Sequence, residues 1–274
     1  MRFAHTPPGR RSTPTLALME IPSFAVQAFQ SWGARVEPLP TSTKEECDWL
    51  VSLENCKLIA EEKTKFEDAL AIEARLKTLR AGGVHGQTVP LRSNNRLSGI
   101  VKKAVGQLSS TAPDVAHDLR VLWFTGTGFD GEAKHYQLMS TLYGSTRVFE
   151  LNGDGHHRTC YFFRNSDFYR FRDLLDGAYV TYLTGNTLTV KLCLNPHSPK
   201  WEQLRDSPFA GRLKNGLVDP VAEEKAGTSY IVDGDVERSN EGAVMRYLHE
   251  KYGLKQAMNI DMGMTSAAIL VPRA

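Results

Sequence analysis

Cysteine is scarce: four residues in 274 (Cys47, Cys56, Cys160 and Cys193), with no C-x-x-C spacing among them. That excludes a zinc ribbon and a disulfide scaffold and predicts reduced thiols in a cytoplasmic protein. Long apolar runs are missing as well. None approaches the ~20 residues that cross a bilayer, so no membrane partner is expected. The paired arginines in MRFAHTPPGRRSTPT are not followed by a long apolar core. This argues against a signal peptide and predicts a flexible leader over residues 1–15. An excess of one charge is also absent. Lys and Arg number 33 against 31 Asp and Glu, a net +2, so any case for nucleic acid rests on a local basic cluster. Internal repeats and low-complexity tracts are lacking, and no Ser-His-Asp or Cys-His arrangement stands out by spacing.

What is present is the composition of a globular chain, with 41% hydrophobic and 23% charged residues. Its length allows one large domain or two modest ones with a real core. Apolar residues at Ile21, Phe24, Ala25, Ala28, Phe29 and Trp32 predict a helix within 16–32, closed by Gly33. A short strand at Ala34–Leu39 precedes two further strands, Asp48–Leu53 and Lys57–Thr64. Helices are expected at Phe66–Arg80 and Asn94–Leu108. A strand (Leu119–Thr125), a helix (Gly131–Tyr143) and a strand (Thr146–Leu151) then suggest a parallel crossover. These elements describe an α/β core over residues 16–151, with NGDGHHR (152–158) as a candidate boundary. The 152–274 region is mixed α/β, and it either completes the same sheet or forms its own unit. Strands are expected there at Thr159–Phe163, Thr187–Leu194, Tyr230–Val232 and Ala267–Val271, and helices near Asp167–Leu175 and Asn240–Tyr252.

The stretch CDWLVSLENCKLIAEEKTK (47–65) carries the chemistry. A two-residue turn at Asn55–Cys56 would place Leu50 opposite Glu61 and Asp48 opposite Lys63. Asp48, Glu61 and Lys63 would then share one face at the end of an apolar hairpin. Buried charges there are costly unless something binds them.

Asp48, twelve residues, then Glu61-Glu62-Lys63 on the next strand resembles the PD-(D/E)XK nuclease superfamily, with Cys47 in place of the proline. The resemblance covers about residues 16–151. It implies a restriction-endonuclease-like core (a central mixed sheet flanked by helices) with a mixed α/β C-terminal extension. It also implies a Mg²⁺-dependent phosphodiesterase, with Mn²⁺ able to substitute, acting on DNA, the substrate of most of the family. Asp48 and Glu61 would be the metal ligands and Lys63 would orient or deprotonate the nucleophile. Glu20 would match the family's acid on the first helix, and Lys103 or Gln107 its later polar residue. The chemistry is coherent in itself: carboxylates hold a hard cation that activates water, and a lysine stabilises developing charge. A cluster comprising Arg75, Lys77, Arg80, Arg92, Arg96, Lys102 and Lys103 suits phosphate-backbone contact. The alternative is a non-catalytic nucleic-acid-binding or assembly protein with the nuclease fold. A homodimer or partner subunit stays open.

Four other features compete. GTGFDG (126–131) matches G-x-G-x-x-G between strand and helix, with Glu150 on the next strand, as a nucleotide site would require. Asp154, His156 and His157 offer metal-ligand types. Asp233-Gly234-Asp235 reads first as a turn. YFFRNSDFYRFR (161–172) interleaves aromatics and arginines, either as a single-strand surface or as core aromatics with solvated arginines.

Overall fold

The computed structural model describes residues 23–40, 46–151, 153–213 and 215–270. The leader, the first turns of the expected N-terminal helix, and Glu20 lie outside them. In chain order, α1 (Phe24–Ser31) is capped by the Ser23 side chain and leads into β1 (Arg35–Pro38), β2 (Trp49–Leu53) and β3 (Cys56–Lys65). Next come α2 (Ala69–Arg80), β4 (His85–Pro90), α3 (Asn95–Thr111), β5 (Leu119–Gly126) and α4 (Gly131–Tyr143). Then follow β6 (Thr146–Glu150), β7 (His157–Phe162), α5 (Asp167–Arg170), β8 (Gly177–Thr184) and β9 (Thr187–Leu194). The chain finishes with α6 (Trp201–Arg205), α7 (Pro208–Gly211), β10 (Leu217–Val218), α8 (Pro220–Lys225), β11 (Ser229–Val232), α9 (Glu241–Tyr252), β12 (Ala257–Ile260) and β13 (Gly263–Ala268).

The main sheet is seven-stranded and mixed, in the order β1-β2-β3-β5-β8-β9-β10. β1, β2 and β3 form an antiparallel meander, and β3, β5 and β8 run parallel. Pro38, lacking an N–H, is tolerated because β1 is the sheet edge. Alternation along β3 splits its apolar side chains between two cores. Ile59 packs with Leu97, Val101, Ala104 and Leu108 of α3 and with α4 on one face. Leu58 and Ala60 pack with Phe29 of α1, Trp123, Tyr179 and the α6–α7 pair on the other. The result is a three-layer α/β/α arrangement, a large mixed sheet flanked by helices.

Beyond residue 151 the main sheet continues, taking β8, β9 and β10 from 177–218. Of the two sequence alternatives for this region, that part completes the sheet. A smaller sheet, β11-β7-β6-β12, packs on α9 around Val148, Phe162, Val232 and Leu248. The expected crossover from β5 through α4 to β6 does not occur. β6 joins this smaller sheet, and the parallel neighbours of β5 are β3 and β8. Local pattern signals a strand but not which sheet it enters, and β8, fully buried over its first five residues, competes for the place beside β5.

Candidate active site

The β2–β3 hairpin turns at Glu54–Asn55 rather than Asn55–Cys56, because Leu53 pairs with Cys56 and Trp49 with Ala60. Glu54 takes φ 54°, the left-handed conformation a tight hairpin turn demands. The pairing therefore slips by two residues from the sequence expectation. Leu50 pairs with Ile59 and Trp49 with Ala60; continuing this register by one residue beyond the ladder sets Asp48 opposite Glu61, not Lys63. An even slip leaves every side chain on its expected face, so the acids and the lysine still converge, with the two carboxylates directly opposed.

Helix α3 holds this end of the hairpin. Cys47 N donates to Thr111 Oγ1 at 2.8 Å, and Gln107 Nε2 donates to the Glu46 carbonyl at 3.2 Å. Residues 107 and 111 lie one turn apart on the same face, so one helix fixes the entry to β2 that carries Asp48. Asp48 Oδ2 in turn accepts from Glu62 N at 2.7 Å.

Glu61 is completely buried. One carboxylate oxygen, Oε1, accepts from Lys63 Nζ, while Oε2 has no hydrogen-bond partner. Burial pushes its pKa up to about 7, the bond from Lys63 pulls it down, and the nearby Asp48 charge raises it again. A buried carboxylate next to a second acid, with one oxygen unsatisfied, is the arrangement that a cation relieves. Lys63 Nζ also donates to Gln107 Oε1 at 2.8 Å, which brings the strand motif and the α3 glutamine into one network. Among the described residues no group of three or more His, Cys, Asp or Glu side chains is placed to hold a metal. The protein therefore offers two carboxylates here, and a hard cation would complete its shell with water or phosphate oxygen, as Mg²⁺ commonly does.

Sequence reasoning left Glu62 without a role. It points to the opposite face, where it accepts from Ser23 Oγ, Ala25 N (3.2 Å) and Trp49 Nε1 (3.2 Å). A carboxylate at the N-terminus of α1 satisfies free amides and complements the helix dipole. On this face Ser23, Phe24, Asp48, Trp49, Glu62, Thr64 and Phe66 line an open cleft of about 280 Å³, whose lining does not include Glu61, Lys63 or Gln107. Phe66 is half exposed there. The cleft opens at the carboxyl end of β3, beside that of β5.

The fold disperses the basic cluster. Arg75 is bound to Glu67 and lies 5.0 Å over the Phe129 ring, so it braces the fold. Lys77, Arg80, Arg96, Lys102 and Lys103 are exposed on α2 and α3, whereas Arg92 lines a different cavity, described below. In the 126–131 loop, Phe129 N donates to Glu67 Oε2 at 3.2 Å. A carboxylate already occupies the seat that a nucleotide phosphate would need. Asp130 pairs with Lys134 at 2.6 Å. Asp154 is held by Arg158 and the His156 amide. Asp233 is bound by Tyr247 and Lys251, and Asp235 pairs with Arg164. In the aromatic–arginine run, Phe163 and Phe168 are core residues, while Arg170 pairs with Asp167.

The four cysteines are buried and unpaired. Among the described residues no helix is long and apolar enough to cross a membrane. No family model matches the chain, and no curated protein or solved structure matches it.

Proposed function

We propose that this protein is a metal-dependent nuclease that hydrolyses phosphodiester bonds of DNA, with Asp48, Glu61, Lys63 and Gln107 as its active site. The observation that carries this reading is the network of Glu61, Lys63 and Gln107, with the unpartnered Oε2 of Glu61 in it and the Asp48 charge close enough to act on Glu61. The order of leading helix, antiparallel hairpin, later helix and parallel strand supports a restriction-endonuclease-like core.

Asp48 and Glu61 would hold Mg²⁺ or Mn²⁺, which supplies an activated water and neutralises phosphate charge when bound. The residues themselves divide the remaining work. Lys63 places a cation where negative charge develops on the phosphate oxygens, and its three donors can also orient the attacking water. Gln107 aims that ammonium by accepting a hydrogen bond from it through Oε1. Exposed Lys77, Arg80, Arg96, Lys102 and Lys103 offer cations for the phosphate backbone.

The test is cleavage of supercoiled plasmid and of single-stranded DNA with Mg²⁺ or Mn²⁺, comparing the wild type with Lys63→Ala and Asp48→Ala. Metal-dependent nicking that disappears in both folded variants supports the reading. Equal background in all three proteins overturns it in favour of a non-catalytic nucleic-acid-binding protein.

A further inference from the structure

A second cavity, of about 400 Å³, lies between α4 and the smaller sheet and takes no part in the proposed nuclease site. Its walls come from α4 (Tyr136, Met139), β6 and β7 (Arg147, Tyr161), the Leu91–Arg92 segment, Arg238 and the turn from β12 to β13. Such volume is typical of small-molecule sites.

Three arginines and one acid, Asp261, line it. Among the described residues none of the three forms an ion pair. Arg238 donates to Ser93 Oγ and the Ser145 carbonyl, both at 3.1 Å, and Arg147 donates to Thr159 Oγ1 at 2.6 Å. Arg92 makes no hydrogen bond with the described residues. Each guanidinium has five N–H donors in a planar fork, so most of this donor capacity is unspent. Burial pushes the pKa of Arg238 down, Asp261 opposes that shift, and Arg92 adds to it. Cations gathered in a partly dehydrated pocket repel one another unless an anion joins them. Phosphate matches the guanidinium fork with two parallel hydrogen bonds and carries enough charge to face several arginines. Tyr136, Met139, Tyr161, Met262 and Met264 supply aromatic and thioether lining, apolar material suited to a flat ring.

We propose that this cavity binds a free nucleoside monophosphate, its phosphate held by Arg92, Arg147 and Arg238 and its base against Tyr136, Met139 and Tyr161. The inference stands on this cavity alone and does not depend on the nuclease reading. The sequence alone did not point to the site. Arg147 and Arg238 stand 91 residues apart and meet only because β6 enters the smaller sheet.

The experiment is isothermal titration of the full chain in EDTA, so that no metal site contributes. The titrants are the four ribonucleoside 5′-monophosphates, their nucleosides, ribose 5-phosphate, and a 5′-phosphorylated oligonucleotide. At least one monophosphate should bind in the micromolar range, with its nucleoside and ribose 5-phosphate each weaker by about tenfold or more. Arg147→Met and Arg92→Glu should each weaken it about tenfold or more, because each removes a charged hydrogen-bond donor. Arg92 is exposed and makes no hydrogen bond or ion pair with the described residues, so that variant is the milder test of folding, and circular dichroism checks both. Asp48→Ala should leave the affinity unchanged. The proposal is overturned by no binding of any monophosphate, or by affinity indifferent to both arginine variants. It is equally overturned by ribose 5-phosphate binding as tightly, by tighter binding of the oligonucleotide, or by loss of binding in Asp48→Ala.

Discussion

Lys63 on β3 donates to Gln107 on α3 across 2.8 Å, joining two elements 44 residues apart at the point where Glu61 is buried. The same ammonium is bound by Glu61 Oε1, so its position is set from two sides. A side chain with ~2 kcal/mol of rotamer entropy is thereby ordered before any substrate arrives.

Loss of the ammonium should remove charge stabilisation from the reaction while leaving the fold intact. Lys63→Ala is expected to lower cleavage by about 100-fold or more. Gln107→Ala, which only frees the lysine to move, should lower it by about tenfold. Initial rates of plasmid nicking, with circular dichroism as the folding control, measure both. A Gln107→Ala enzyme with a wild-type rate would show that its bond to Lys63 is structural.

Glu61 should make the metal-free protein less stable as pH rises. Its pKa is raised to about 7 from 4.5, so between those values the folded state holds a proton that the unfolded state has lost. The folded state is thus stabilised relative to an ionised carboxyl below pH 4.5, and this contribution is gone above pH 7. Glu61→Gln should therefore gain on the order of 3 kcal/mol over the wild type at pH 8 and almost nothing at pH 4.5. Mg²⁺ should raise the wild-type melting temperature at pH 8 and not that of Glu61→Gln. Denaturant melts with and without EDTA give the comparison, and a pH-independent difference would refute it.

The neighbouring acid should behave in the opposite way. Glu62 accepts three hydrogen bonds that anchor α1 and Trp49. Glu62→Ala leaves those donors unsatisfied and should cost about 2 kcal/mol at neutral pH. Urea unfolding of the two variants separates them: the change at 61 affects catalysis with no loss of stability, and the change at 62 lowers stability.

His135 supplies a second pH signature. Its ring is almost fully buried between Tyr136 and Tyr182. Burial first, and then the charge of Lys191, lower its pKa from 6.5 to about 4. Between those values the unfolded chain binds a proton that the native state refuses, so stability falls as pH drops from 6.5 towards 4. The full effect is about 3 kcal/mol. His135→Leu should flatten that limb of a stability–pH curve, and an unchanged slope would refute the assignment.

The sequence by itself determined the elements whose signals are local. Gly131–Tyr143 and Thr187–Leu194 have their expected bounds, because helical period or alternation runs unbroken between turn residues. It also placed Asp48, Glu61 and Lys63 on one face, since side-chain alternation survives a two-residue error in register. The helical offset of four between Lys103 and Gln107 was legible too, but not which of them reaches the site. Tertiary structure decided that point by packing Leu97, Val101, Ala104 and Leu108 against the sheet, which aims Gln107 at Lys63 and leaves Lys103 exposed. It also decided that Glu62 anchors a helix, that Arg75 braces a loop, and that β8 lies beside β5 while β6 leaves for another sheet. These outcomes depend on which distant surfaces bury one another, a competition among partners far apart in the chain that no local period records.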